Sequence, residues 1–210
     1  TVMLLVDVSG SRNFGTLSQM KRDMMAEVAA TLAFSTIANN DKVGVIFFSD
    51  KIEKYIPAQK GKTHVLHIIR ELLSFEPNSK GTDMAQALQY FANAQKRHCT
   101  AFLISDFIGA GAVDKPLLIA SNRHEVNAIQ IYDRREAELP NIGLVKFHDA
   151  ESDKDLWIDT SLATVRDDYA QAWKQNQDLL EQLFTRTGVN HISVRTDEDY
   201  VKALMHLFRC

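Results

Sequence analysis

Short apolar runs alternate along this chain with longer segments of helical period. Val2-Met3-Leu4-Leu5-Val6 opens it, and residues 2–8 read as a buried strand. Residues 17–38 read as a helix, with Leu17, Met20, Met24, Val28, Thr31, Leu32 and Ser35 three and four apart. Its alanines (Ala26, Ala29, Ala30, Ala33) would let it lie close against a sheet. Asn39-Asn40-Asp41 ends it; residues 43–49 give the next strand, Asp50-Lys51 a turn, and residues 52–56 a short edge strand before a loop from Pro57 to Gly61. A helix over 63–73 places Val65, Leu66, Ile69, Leu72 and Leu73 inward. Residues 77–81 form a loop, and Asp83 can cap a helix over 84–97. Strand 100–105, a glycine-bearing loop at 109–111, helix 113–121 and strand 125–132 follow. Residues 133–160 break the rhythm and read as a hairpin insertion, with extended pieces at 144–148 and 156–158. A long helix over 161–187 ends at Gly188, and strand 190–194 and helix 198–208 close the chain.

This alternation predicts a single α/β domain over 1–210: a mostly parallel sheet with helices on both faces. In such sheets ligands sit beyond the carboxyl ends of the strands, where strand order reverses. With 210 residues, 45% of them hydrophobic, the chain can bury a substantial core. Its net charge of -3 gives no argument for a nucleic-acid surface. The apolar runs are too short for a membrane span, and no charged region with a cleavage site opens the chain. Cys99 and Cys210 are the only cysteines, which argues against a disulfide framework or a zinc–thiolate site and for a reducing cytoplasm. Thr1 lies inside a strand pattern, so a preceding segment of a longer gene product is expected.

Chemistry concentrates at two strand ends and one loop. Asp7, Ser9 and Ser11 follow the first strand in DVSGS, Asp106 ends the strand that contains Ile104-Ser105, and Thr82 arrives on the loop before Met84. Alternation along DVSGS lets Asp7, Ser9 and Ser11 point one way. Two carboxylates and three hydroxyls form a hard oxygen set with few charges, which suits Mg²⁺ or Mn²⁺. Such a metal, short of direct negative ligands, would attract an outside carboxylate. Taken alone, DVSGS could equally be a turn whose side chains satisfy backbone amides.

Asp7, Ser9, Ser11, Thr82 and Asp106 resemble the five-residue metal-ion-dependent adhesion site of von Willebrand factor A-type domains. That resemblance implies a Rossmann-like three-layer fold with one antiparallel edge strand. It also implies direct metal ligation by the two serines and the threonine, aspartates acting mainly through water, and a sixth position filled by an acidic residue of a protein partner. Across essentially the whole chain, Lys42-Val43-Gly44-Val45, Phe48-Ser49-Asp50, Gly81-Thr82-Asp83, Ile104-Ser105-Asp106-Phe107, Tyr132-Asp133 with Glu136, Leu139-Pro140 and Asp159-Thr160 resemble a bacterial family of unknown function numbered fifty-eight. Members of that family are typically encoded beside MoxR-type AAA+ ATPases and carry an N-terminal extension. The resemblance implies a non-enzymatic adaptor that works with such an ATPase, or its client, in protein assembly or maturation. The family often has Glu-Thr-Gly after its insertion strand, where this chain has Glu151-Ser152-Asp153. Arg12, Phe14 and Phe107 are candidate partner contacts on the rim, while Phe14 and Phe107 could equally fold onto the first helix or the sheet edge.

The competing reading is a Mg²⁺-dependent hydrolase of phosphate esters. An aspartate nucleophile at Asp7 would need a second carboxylate two residues on, and that place holds Ser9. No phosphate-cradling or dinucleotide-binding glycine motif occurs, and no G-x-S-x-G elbow. His64 and His67 lie three apart without a third ligand, and the other histidines are scattered.

Overall fold

The computed structural model describes residues 1–9, 21–79, 81–109, 111–149 and 154–208. Within them the chain runs β1 (Val2–Asp7), α1 (Lys21–Ala38), β2 (Val43–Phe48), β3 (Ile52–Gln59), α2 (Lys62–Ser74), α3 (Met84–Ala94), β4 (Thr100–Ser105), α4 (Asp114–Ser121), β5 (Glu125–Tyr132), α5 (Arg134–Ala137), β6 (Leu144–Asp149), β7 (Lys154–Asp159), α6 (Ala163–Thr187), β8 (Asn190–Arg195) and α7 (Tyr200–Leu207). Six strands form one sheet in the order β3-β2-β1-β4-β5-β8. All neighbours are parallel except β2 and β3. The sequence expectation of a mostly parallel sheet with one antiparallel edge strand holds.

The sheet is covered on both faces because its strands are apolar on both faces. Leu4, Val6, Val45, Phe47, Phe102, Ile104 and Ile129 point to one side, where Met24, Val28 and Leu32 of α1, Val65 and Ile68 of α2, and Leu204 of α7 meet them. The alternate set, Met3, Leu5, Ile46, Phe48, Leu103 and Ala128, faces Leu88 and Phe91 of α3, Leu117 of α4, and Leu183 and Phe184 of α6. Three layers result.

Two boundaries differ from the sequence reading by three residues. β3 runs on to Gln59 and includes Pro57, which the sequence reading places in a loop. An edge strand tolerates proline because one side of its backbone has no neighbour to bond. Gly44 makes room for that pairing: a Cβ there would lie 2.8 Å from both Ala58 N and Ile56 O. The helix expected to reach 97 stops at Ala94.

The insertion forms its own two-stranded antiparallel sheet, with Leu144 opposite Asp159 and Phe147 opposite Leu156. Thr160 latches its base: its N–H and its hydroxyl both donate to Gly143 O, at 2.9 and 2.7 Å. Leu144, Leu156 and Trp157 are exposed on it, each above 60%. Arg134–Ala137, inside the stretch the sequence reads as insertion, instead make the short helix α5, capped by Asp133 and packed against α6.

A candidate metal-site rim at the carboxyl ends of β1 and β4

The chain leaves β1 for β2 on one side and reaches β4 on the other, so the strand order reverses around β1. Asp7 ends β1 in this crevice and is 2% exposed. Its Oδ1 accepts the Ser9 N–H (2.9 Å), a local turn that the alternation in DVSGS produces. Its Oδ2 accepts the hydroxyl of Ser105 (2.6 Å), the last residue of β4. Ser105 Oγ in turn accepts the Phe107 N–H at 3.0 Å. Ser9 is fully buried beside them.

Asp106 is equally buried, and described donors engage both its oxygens. Oδ1 accepts the Ile108 N–H at 3.0 Å, and Oδ2 accepts from Lys21 Nζ at 2.6 Å. Lys21 begins α1, is completely buried, and also donates to Glu136 Oε1 at 2.5 Å. Glu136 Oε2 accepts the Asp133 N–H (2.9 Å) in the capping box of α5. Thr196 Oγ1 holds Asp133 Oδ2 from beyond β8 at 3.0 Å. A buried chain of ion pairs and hydrogen bonds therefore runs along the carboxyl ends of the strands, from β4 past β5 to the β8 edge.

Sequence reading missed Lys21, whose place on α1 continues the inward stripe of Met24, Met25 and Val28. A lysine on an apolar stripe is the signal that would have found it, since lysine is rarely buried without a partner. Asp133-x-x-Glu136 is a legible capping box, but its second duty toward Lys21 is not.

Thr82 lies on backbone pinned just beyond the carboxyl end of β2, the strand beside β1. Val8 N–H donates to Phe48 O (2.8 Å), and the Asp83 N–H donates to Ser49 O (2.7 Å) just beyond β2. Asp83 caps α3 as expected, its carboxylate accepting the Gln86 N–H at 2.9 Å. Thr82 Oγ1 is buried and has no hydrogen-bond partner among the described residues. Ser11, Arg12 and Phe14 lie outside those residues.

Phe107 takes the inward one of its two expected placements and is not a rim contact. It is 2% exposed and meets Phe184 of α6 edge-on, with ring centres 5.3 Å apart. Its φ of 59° puts it in the left-handed region, which costs a bulky residue about 1–2 kcal/mol. That turn sends the ring inward and leaves Ile108 half-exposed on the rim in its place. The side chain that burial favours inside the core cannot serve as the rim contact.

The charges are unevenly balanced. Burial first, and the Asp106 charge second, push the Asp7 carboxyl up to about 6, although bonds from Ser105 and Ser9 pull the other way. Burial alone would lower the Lys21 ammonium, but Asp106 and Glu136 more than offset it, and it stays charged. Asp7, Asp106 and Glu136 together carry two more negative charges than Lys21 neutralises when all are ionised. Among the described residues no group of three or more His, Cys, Asp or Glu side chains is placed to hold a metal, so a cation here would depend on hydroxyl ligands. No helix among them is long and apolar enough to cross a membrane.

A pH dependence follows for the metal-free protein. Asp7 has a folded pKa above its ordinary 3.8, so its ionisation opposes folding. That cost is absent below about pH 4, grows as pH rises through 6, and is complete above it, reaching about 3 kcal/mol. In chelator, melting temperature is expected to fall between pH 4.5 and 7 in wild type and to stay flatter in Asp7→Asn. Parallel curves for the two proteins would refute the assignment.

Over residues 1–179 the chain matches the family described as "Protein of unknown function DUF58". The Mycobacterium tuberculosis "Uncharacterized protein Rv1480" is 32% identical over 202 residues, covering 94% of this chain and 63% of that protein. The chain thus spans a little under two thirds of that relative's length. Two solved structures share the fold at 16% identity: the conserved hypothetical protein BatB from Bacteroides thetaiotaomicron (TM-score 0.63, 99% of this chain and 96% of that one) and an aerotolerance-related membrane protein from Bacteroides fragilis (TM-score 0.67, 100% and 98%).

Proposed function

The chain belongs to the DUF58 family, and from that premise we propose that it is a protein-binding module of von Willebrand factor A type that captures an acidic side chain of its partner through a divalent cation. One observation carries the reading: Thr82 Oγ1, on a loop pinned just beyond β2, is buried with no hydrogen-bond partner among the described residues. A buried hydroxyl without a partner costs about 1–3 kcal/mol unless something outside the chain uses it. The charge balance among the described residues supports the same occupant, because Asp7, Asp106 and Glu136, when all are ionised, exceed Lys21 by two negative charges that Mg²⁺ or Mn²⁺ would offset.

The donor set fits such a group. Ser9, Ser11 and Thr82 would hold it, and Asp7 and Asp106 would supply charge through water. Asp106 is suited to that indirect part, since Lys21 and Ile108 already engage its two oxygens. The bound cation would supply Lewis acidity toward a carboxylate. No catalytic step is assigned to the chain. The partner in this proposal is a MoxR-type AAA+ ATPase or its client, reached from a cytoplasmic setting.

Calorimetric titration of MgCl₂ and MnCl₂ tests the site. Wild type is expected to bind, while Asp7→Ala and Ser9→Ala lose at least tenfold in affinity, about 1.4 kcal/mol. Capture of a MoxR-type ATPase is expected to need the metal and to vanish in chelator while the fold persists. Equal titrations for all three proteins would reject the site.

The hydrolase alternative draws some weight from Lys21, a lysine on the strand-end aspartate Asp106. Yet Lys21 is fully buried and already paired with two carboxylates, so it offers nothing to a phosphate. Turnover of phosphate esters with Mg²⁺, lost in Asp7→Asn, would overturn the binding reading.

A further inference from the structure

Glu53 lies on β3, the edge strand, with no motif around it, yet four donors converge on its carboxylate. Oε1 accepts the Ser49 hydroxyl (2.8 Å) and the N–H groups of Asn78 and Ser79 (3.1 Å each). Oε2 accepts Asn78 Nδ2 at 3.1 Å. These donors come from two places: the turn after β2, and the segment between α2 and α3 that leads to Thr82. The same turn holds the far end of that segment, through the Asp83 N–H on Ser49 O (2.7 Å). Gly81 backs onto the turn as well, since a Cβ there would lie 3.5 Å from Asp50 Cβ. Thr82 itself contributes no side-chain anchor among the described residues. The position of its hydroxyl therefore depends on backbone held by Glu53 and Ser49.

We infer that Glu53 is a positioning residue that fixes the loop carrying Thr82 Oγ1 at the rim. Its effect on metal binding rests on the metal-site reading above. A carboxylate suits this task because it accepts on both oxygens and donates nothing. Glutamine would turn its NH₂ group either toward the two backbone N–H groups, which breaks that side of the clamp, or toward Asn78, whose amide must then turn over to offer Oδ1. Charge strengthens each bond as well. The hydrogen bonds hold the Glu53 carboxyl below its usual value, although burial alone would raise it.

Two measurements on the same proteins decide this. The first is amide hydrogen exchange without metal. Exchange at Asn78, Ser79 and Asp83, taken relative to β1 in the same sample, is expected to speed up about tenfold in Glu53→Ala and less in Glu53→Gln. The second is MnCl₂ titration: affinity is expected to weaken about fivefold in Glu53→Gln and about thirtyfold in Glu53→Ala. Leu204→Ala, a buried change on α7, serves as the comparison with similarly reduced stability. It is expected to leave both the relative exchange and the Mn²⁺ affinity unchanged. Unaltered relative exchange in Glu53→Ala would overturn the inference whether or not metal binds. Faster exchange with unchanged Mn²⁺ affinity would also overturn it, because Glu53 would then be structural only. If wild type binds no Mn²⁺, the metal-site reading falls, and exchange alone decides whether Glu53 holds the loop.

Discussion

Lys21→Met is expected to destabilise the protein by about 3–5 kcal/mol, the usual cost of removing one partner from a buried ion pair. Lys21 is completely buried and lies within hydrogen-bonding distance of Asp106 and Glu136. Methionine keeps most of the volume and the apolar stem, so the loss reports charge and hydrogen bonding rather than a cavity. Two carboxylates would be left facing each other, with Asp7 adding a third negative charge nearby. Urea denaturation reads the effect as a lower midpoint at unchanged slope. Glu136→Gln in the Lys21→Met background is expected to recover part of the loss. It removes one orphaned charge, and glutamine can keep the capping box of α5. Added Mg²⁺ is expected to stabilise Lys21→Met more than wild type, because the uncompensated negative charge is larger. An unfolding free energy within about 1 kcal/mol of wild type would show that the ion triad is not what holds this corner.

Thr82→Val is expected to separate stability from binding. Valine nearly matches threonine in shape but carries no hydroxyl. Thr82 Oγ1 has no partner among the described residues, so its removal relieves a desolvation cost. The variant is expected to be more stable than wild type in chelator, by about 1 kcal/mol. In the same protein the stabilisation that Mg²⁺ or Mn²⁺ gives to wild type is expected to disappear. Thermal melts of both proteins with chelator and with metal measure the two effects together. A Thr82→Val protein less stable than wild type in chelator would mean that the hydroxyl has a partner in the free chain.

Most of the architecture is legible in the sequence because both faces of each central strand are buried. Val2–Asp7, Val43–Phe48 and Thr100–Ser105 show as plain apolar runs, and their order with the helices specifies the parallel sheet. The edge is less legible: Pro57 looks like a terminator, and only the open side of β3 tolerates it. Asp7 and Asp106 come together where topology predicts, since strand ends at a reversal of strand order converge. The side chains around them are harder to foresee. Ser105, Lys21, Glu136 and Glu53 act through partners 98, 85, 115 and 25 residues away, and no local pattern encodes such pairs. Phe107 shows an ambiguity of the opposite kind, for a strand-end aromatic beside a site can read as a contact or as core, and its left-handed turn places it in the core.

The central place of β1 has a consequence for synthesis. Its neighbours are β2, about forty residues later, and β4, about a hundred residues later. At ordinary ribosomal speed the second neighbour follows by about 5–20 s. Until then Val2–Val6, apolar and rich in β-forming residues, lacks the pairing that will enclose it, and such a segment is prone to self-association. Asp7 is the first charge the chain places after that run. The residue that ends as a buried carboxylate on the rim thus begins as the gatekeeper of an unpaired nascent strand.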